Sequence, residues 1–185
     1  MRRGALLVLV AVCVAAPAAA VDLSLFGTYQ DFRDADSGIG MGVRAGFGGD
    51  RFGFDLGLSY LDSEINLGSG PVACSCDVSN LRVAPLDLGA RWTIFREGTW
   101  RPYIGAGVNV LFVESDNVSV DDEVGWYAVG GALVGDGKKN ELMIEVIYRS
   151  SDANIDFIDQ GFATNDPPAL DLSGLGFSIG AVWRF

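Results

Sequence analysis

Histidine is absent from all 185 residues. Serine and thiol nucleophiles that work near neutral pH are commonly activated by an imidazole acting as general base, so the standard activator is missing. No carboxylate-only catalytic motif replaces it, and no enzymatic activity is expected. Cationic side chains are scarce, with 13 Lys and Arg against 24 Asp and Glu and a formal net charge of −11. A surface of that sign repels phosphates, which argues against nucleic acid as a partner. Cysteine numbers only 3, too few for a disulfide framework or a zinc module. After residue 20, no apolar run is long enough to cross a bilayer as a helix.

The first twenty residues read differently from the rest. Arg2 and Arg3 precede an apolar run from Ala5 to Ala16, followed by Pro17 and Ala18–Ala20. A charged start, a short apolar centre and small residues at a cleavage site predict a signal peptide over 1–20. The predicted domain is 21–185, and loss of Arg2 and Arg3 takes the charge from −11 to −13.

What the mature chain has is glycine and alternation. Glycine occurs 25 times, and mean hydropathy is +0.28. The last strand runs from Leu175 with Leu175, Phe177, Ile179, Ala181, Trp183 and Phe185 on one face, and Gly176, Ser178, Gly180, Val182 and Arg184 on the other. Successive strand residues point to opposite faces, so one face is bulky and apolar while the other is small or polar. The same pattern marks Ile39–Gly48 and Phe52–Leu61, joined by a hairpin at Gly48–Arg51. Further strands are predicted at Asp22–Phe32, Leu81–Ile94, Pro102–Phe112, Val124–Gly135 and Glu141–Ser150. In the Val124–Gly135 strand both parities are apolar, so its faces stay open.

These eight strands alternate short turns with longer loops. Bulky rows with glycines and charges opposite them suit a wall facing lipid better than one enclosing a ligand in water. The prediction is therefore all-β: an eight-stranded antiparallel up-and-down transmembrane barrel, with turns and both termini on the periplasmic side. The loops Asp62–Asn80, Glu114–Glu123 and Ser151–Ala169 fall at the external end, while Phe95–Arg101 reads as a periplasmic turn.

The signal peptide, the glycine-alternating segments IGMGVRAGFG and PYIGAGVNV, and the terminal AVWRF together resemble the small outer-membrane barrels of the OmpX and OmpA-barrel type. The resemblance implies export to the outer membrane of a Gram-negative bacterium. It also implies contact with outer-membrane lipid and lipopolysaccharide, and recognition of Trp183 and Phe185 by the barrel-assembly machinery. OmpA continues into a peptidoglycan-binding domain, whereas this sequence ends at the barrel, so that anchoring role is not expected. Other barrels of this size, of the OmpW type, would imply a small passage for apolar molecules.

The best-defined chemistry lies in the inward rows. Arg44, Asp55, Asp87, Arg91, Glu145, Arg149 and Arg184 nearly balance in charge and predict an interior polar network, with Tyr103, Asn109 and Ser178 as hydrogen-bonding neighbours. Eight strands enclose a space that side chains can fill, which favours a plug over a pore. Phe26, Leu61 and Leu111 are the bulky apolar exceptions, with Tyr127 alongside them if its row faces inward. The external loops are acidic, yet Asp116–Glu123 lacks the spacing and glycine of an EF-hand. No cofactor or metal motif is present. Cys74 and Cys76 are candidates for a disulfide in an oxidising compartment, although so short a bridge would be strained. The expected role is structural or surface-interacting, in adhesion or envelope integrity, with an external ligand that the sequence does not name.

Overall fold

The computed structural model describes residues 21–33, 35–65, 79–115, 119–120, 123–136, 139–156 and 169–185. The predicted signal peptide and the pair Cys74 and Cys76 lie outside the described residues. Among the described residues eleven strands are present: β1 Val21–Gln30, β2 Gly38–Gly48, β3 Phe52–Ile65, β4 Ser79–Thr93, β5 Trp100–Ser115, β6 Ser119–Val120, β7 Glu123–Gly135, β8 Asn140–Ser150, β9 Asp152–Asp156, β10 Ala169–Asp171 and β11 Gly174–Arg184. Eight of them, β1, β2, β3, β4, β5, β7, β8 and β11, close into an antiparallel barrel in which β11 pairs with β1. The three short ones form a separate sheet in the order β10, β9, β6.

The alternation seen in the sequence sets the faces. Along β1, Leu23, Leu25 and Tyr29 are exposed while Ser24, Phe26, Thr28 and Gln30 are buried. Along β2, Ile39 and Met41 expose 71% and 67% of their surface, an arrangement that water would penalise and lipid favours. In β7 the structure resolves the open parity: Tyr127, Val129 and Leu133 are buried, whereas Val124 and Trp126 are exposed.

Register fixes how the wall is wrapped. Stepping across the ladders from Asp22 leads through Gly46, Asp55, Gly89, Gly107, Tyr127 and Arg149 to Gly174. The bonds Asp31 N to Leu175 O and Arg33 N to Ser173 O place Gly174 opposite Phe32, ten residues along β1 from the start. An eight-strand barrel with that stagger tilts its strands by roughly 40–45° and leaves an interior that side chains fill.

Three observations correct the sequence reading. Asp62–Ile65 belongs to β3 rather than to a loop, and β3, β4 and β5 run 14, 15 and 16 residues. That exceeds the roughly 9–11 residues needed to span, so their upper ends stand beyond the membrane. The loops at Glu114–Glu123 and Ser151–Ala169 contain β6, β9 and β10. Arg101 and Trp100 belong to β5 rather than to a turn. Pro85 lies well inside β4, where the β3–β4 ladder passes from Leu58–Leu86 to Leu61–Val83, because proline offers no amide hydrogen.

Periplasmic turns are tight. Gly48 adopts a φ of +130° at the β2–β3 hairpin, where Gly49 N donates to Phe52 O at 2.9 Å. Only glycine takes that conformation without steric cost.

Candidate functional site: the filled lumen

The inward rows bring together charges from β1, β2, β3, β4, β5, β8 and β11. At mid-height Arg44 on β2 meets Glu145 on β8 through a bidentate pair, Nη1 to Oε1 and Nη2 to Oε2, the latter at 2.9 Å. Tyr103 on β5 donates its hydroxyl to Glu145 Oε1 at 2.5 Å. The Arg44 guanidinium lies 5.3 Å from the centre of the Phe26 ring. Phe26, Tyr103, Leu133, Met143 and Val182 pack into one buried cluster around this level.

Towards the external end, Arg149 Nη2 donates to Asp87 Oδ2 at 2.7 Å, and its Nη1 donates to Gln30 Oε1 at 2.9 Å. Asn109 and Ser178 bond elsewhere, Asn109 to Ser151 at 3.3 Å and Ser178 to Thr28 at 3.0 Å. Towards the periplasm, Arg91 Nη2 lies 3.3 Å from Asp22 Oδ2 and 3.6 Å from Asp55 Oδ1. Arg184 bridges Asp22 at 2.9 Å and Glu141 at 3.1 Å, and Arg101 also pairs with Glu141. Each of the seven residues singled out from the sequence thus has an ion-pair partner in the lumen.

Asp22, Arg101 and Glu141 complete this arrangement and were missed. Asp22 and Glu141 share the inward parity of their strands, so alternation alone would have found them. Arg101 was hidden because residues 95–101 read as a turn. With them, among the described residues the interior holds Arg44, Arg91, Arg101, Arg149 and Arg184 against Asp22, Asp55, Asp87, Glu141 and Glu145, five charges of each sign. At an effective dielectric near 20, unit charges 4 Å apart attract by about 4 kcal/mol. Balance matters more than any one pair, since a buried charge that loses its partner is strongly destabilising.

A cavity of about 260 Å³ opens at the periplasmic end, lined by Asp22, Gly46, Gly53, Arg91, Arg101 and Arg184 among others. Glycine keeps the wall thin here: a Cβ on Gly46 would come within 3.1 Å of both Arg91 Nη2 and Asp55 Oδ1.

The external third is apolar on one side, across β3, β4 and β5, where buried Ser59 and Ser63 flank Leu61 on β3. Leu61 faces Val83 across the β3–β4 ladder, Val83 faces Val113, and Pro85 faces Leu111. All five are buried. Phe32 and Leu172, also buried, lie just beyond the ends of β1 and β11. Above them Asp171 accepts from Ser173 N at 2.9 Å and from Arg33 Nη1 at 2.8 Å. The Ser173 hydrogen bonds, with Arg33 behind them, hold the Asp171 carboxyl below the usual carboxylate range.

Solved structures of the same shape support the fold. The chain is similar to the outer membrane protein OprG from Pseudomonas aeruginosa, with 16% identity and a TM-score of 0.67, covering 91% of this chain and 96% of that one. It is similar to Neisserial surface protein A, with 13% identity, a TM-score of 0.62, and 90% and 96% covered. The outer membrane protein AlkL, solved in lipid bilayers, matches at 14% identity and a TM-score of 0.58, with 92% of each chain covered. No curated protein matches the sequence. A family model, the outer membrane protein beta-barrel domain, matches residues 4–185. Closed topology, lipid-suited outer wall and family match agree: the chain belongs to the outer membrane protein beta-barrel domain family, a resident of the Gram-negative outer membrane.

Proposed function

We propose that this barrel is a non-enzymatic structural or surface-interaction protein, serving adhesion or envelope integrity through its external segments. The observation that carries the reading is the balanced set of five arginines and five carboxylates that, with the buried apolar side chains, occupies most of the lumen among the described residues. Such a filling braces the wall and opposes ion flow, because a permeant ion would have to compete with pairs already made. The strands that rise above the membrane, β3, β4 and β5, together with the small β10–β9–β6 sheet, give the external face a shape to present. Lipopolysaccharide is the proposed neighbour of this face. Trp183 and Phe185 are the proposed recognition signal for the assembly machinery, and a Cys74–Cys76 disulfide is the proposed state of the first long external loop. The test is reconstitution into planar bilayers with an adhesion assay on loop chimeras. No stable conductance and loop-dependent adhesion are expected; a stable single-channel current would overturn the plug.

A second reading, a small passage for apolar molecules, is supported by the apolar patch of Leu61, Val83, Pro85, Leu111 and Val113 in the external third. It gains from the interruption of the β3–β4 ladder at Pro85 at the same height. Uptake of an apolar solute by liposomes carrying the protein tests it.

A further inference from the structure

We propose that the cavity at the periplasmic end of the lumen is a binding site for a phosphate group, held by Arg91, Arg96, Arg101 and Arg184. The site is independent of both readings above, which concern the external face and the passage of apolar molecules.

The cavity exists because the sequence leaves one stretch of wall bare. Gly46, Gly48 and Gly53 share the inward parity of Arg44 and Asp55 on either side of the β2–β3 hairpin, and Gly49 follows in the turn. Arg91 stands opposite Gly53 on β4 and reaches into the space these glycines leave. The volume of about 260 Å³ falls below the roughly 300–1,000 Å³ of sites that take drug-sized ligands. Its occupant is small.

The lining carries four arginines against three aspartates, Asp22, Asp50 and Asp136. Asp22 is shared by Arg91 at 3.3 Å and Arg184 at 2.9 Å. Glu141 is likewise shared by Arg184 and Arg101. The chain of pairs runs Arg91, Asp22, Arg184, Glu141, Arg101, and so ends on an arginine at both sides. Asp55 approaches Arg91 only at 3.6 Å, and its Oδ1 accepts no hydrogen bond. The Arg101 side chain is 9% exposed, and its Nε has no hydrogen-bond partner. Buried donors are nearly always satisfied, so this guanidinium has bonding capacity left over. Arg96 stands exposed at the mouth.

Guanidinium groups converging on one small space suit an oxyanion. Each offers a planar fork of N–H donors, and such charge-assisted bonds are about twice as strong as neutral ones. A phosphate has enough oxygens to meet several forks at once, which a chloride cannot do. Free phosphate and the lipid headgroups around the periplasmic rim both carry this group.

The experiment uses the full barrel refolded in dodecyl maltoside, a phosphate-free detergent, with isotope-labelled arginine. Arginine Nε–Hε resonances are followed by NMR during titration with sodium phosphate at constant ionic strength, with sodium chloride as control. A second titration uses short-chain phosphatidylglycerol. Saturable shifts of Arg96 and Arg101 with both phosphate probes are expected, and assign the site to the phosphate group itself. Shifts with the lipid alone assign it to a headgroup. No saturable shift with either probe, or an equal response to chloride, overturns the site.

Three changes at the mouth leave the ion pairs of the lumen untouched. Arg96→Gln and Gly49→Asp should each weaken binding about threefold, the scale of a single exposed charge. A Cβ on Gly49 meets nothing within 4 Å, so the added carboxylate has room. Asp50→Asn should tighten binding by a similar factor. Weaker binding in Asp50→Asn would show that the cavity selects cations and would overturn the assignment. Removing Arg101 together with its partner, as Arg101→Gln with Glu141→Gln, should cost about tenfold, as loss of a charge-assisted bond does. Unchanged binding in the folded double variant removes Arg101 from the site; if that variant fails to fold, the three mouth variants decide.

Discussion

Arg44 and Glu145, 101 residues apart in sequence, join across the barrel from β2 to β8 by two hydrogen bonds, and Tyr103 adds a third to the same carboxylate. Their side chains are 8% and 0% exposed. Either one alone is a bare charge in a closed space. Changing Glu145→Gln or Arg44→Met should therefore destabilise the barrel by about 3–5 kcal/mol, read as a shift in the urea midpoint of tryptophan fluorescence in vesicles. The double change Arg44→Met with Glu145→Met should recover much of that loss. Additive losses would show that the two residues do not act as a pair.

Gly131 supports the same site from β7. A Cβ there would come within 2.8 Å of both Tyr103 Cζ and the Tyr103 hydroxyl oxygen, and 2.7 Å of Ile144 O. Gly131→Ala should push the ring off Glu145 and cost about 1–3 kcal/mol as overpacking. The smaller Tyr103→Phe change, which deletes only the hydroxyl, should cost less in the same unfolding assay.

The lipid-facing parity has its own check. Ala106 on β5 stands between Ala90 and Ala128 on the outward face, midway along the span. Arginine there should cost about 2–4 kcal/mol, as expected at the bilayer midplane. An arginine tolerated without loss of folded yield would place this row in water.

Phe185 exposes 79% of its surface, and its amide donates to Val21 O at 3.1 Å. It contributes little to packing. Deleting it should lower the amount of protein reaching the outer membrane several-fold while leaving refolding into detergent nearly unchanged. Normal outer-membrane levels in cells would remove its role as an assembly signal.

Asp171 ties the external end to pH. Its carboxyl is held below the usual range by Ser173 and then Arg33, so its contribution is complete above the ordinary carboxylate pKa. That contribution is lost as pH falls through the lower folded value. Amide exchange at Leu172 and Ser173 should quicken on acidification through that window, relative to the chemical rate, and Asp171→Asn should abolish the dependence.

Alternation is a local property of the pleat, so the sequence by itself determined the number of barrel strands, their outward rows and most inward residues. Arg44, Asp55, Asp87, Arg91, Glu145, Arg149 and Arg184 could be assigned to the lumen because each stands two residues from a glycine, serine or other inward neighbour. Asp22 and Glu141 were open to the same argument. In β7 the alternation itself was ambiguous, since apolar residues on both faces leave the pleat without a sequence signature. Arg101 was beyond it, because strand ends next to a tight turn carry the same residues as the turn.

Partners across the lumen belong to tertiary structure alone. Which arginine meets which carboxylate depends on the stagger of the closed sheet, ten residues around the barrel from Asp22 to Phe32. A different stagger would keep every residue on its face and rotate Arg44 away from Glu145. The same wrapping sets Arg33 beside Asp171, 138 residues away. Alternation assigns a side chain to a face; closure of the sheet determines what it touches.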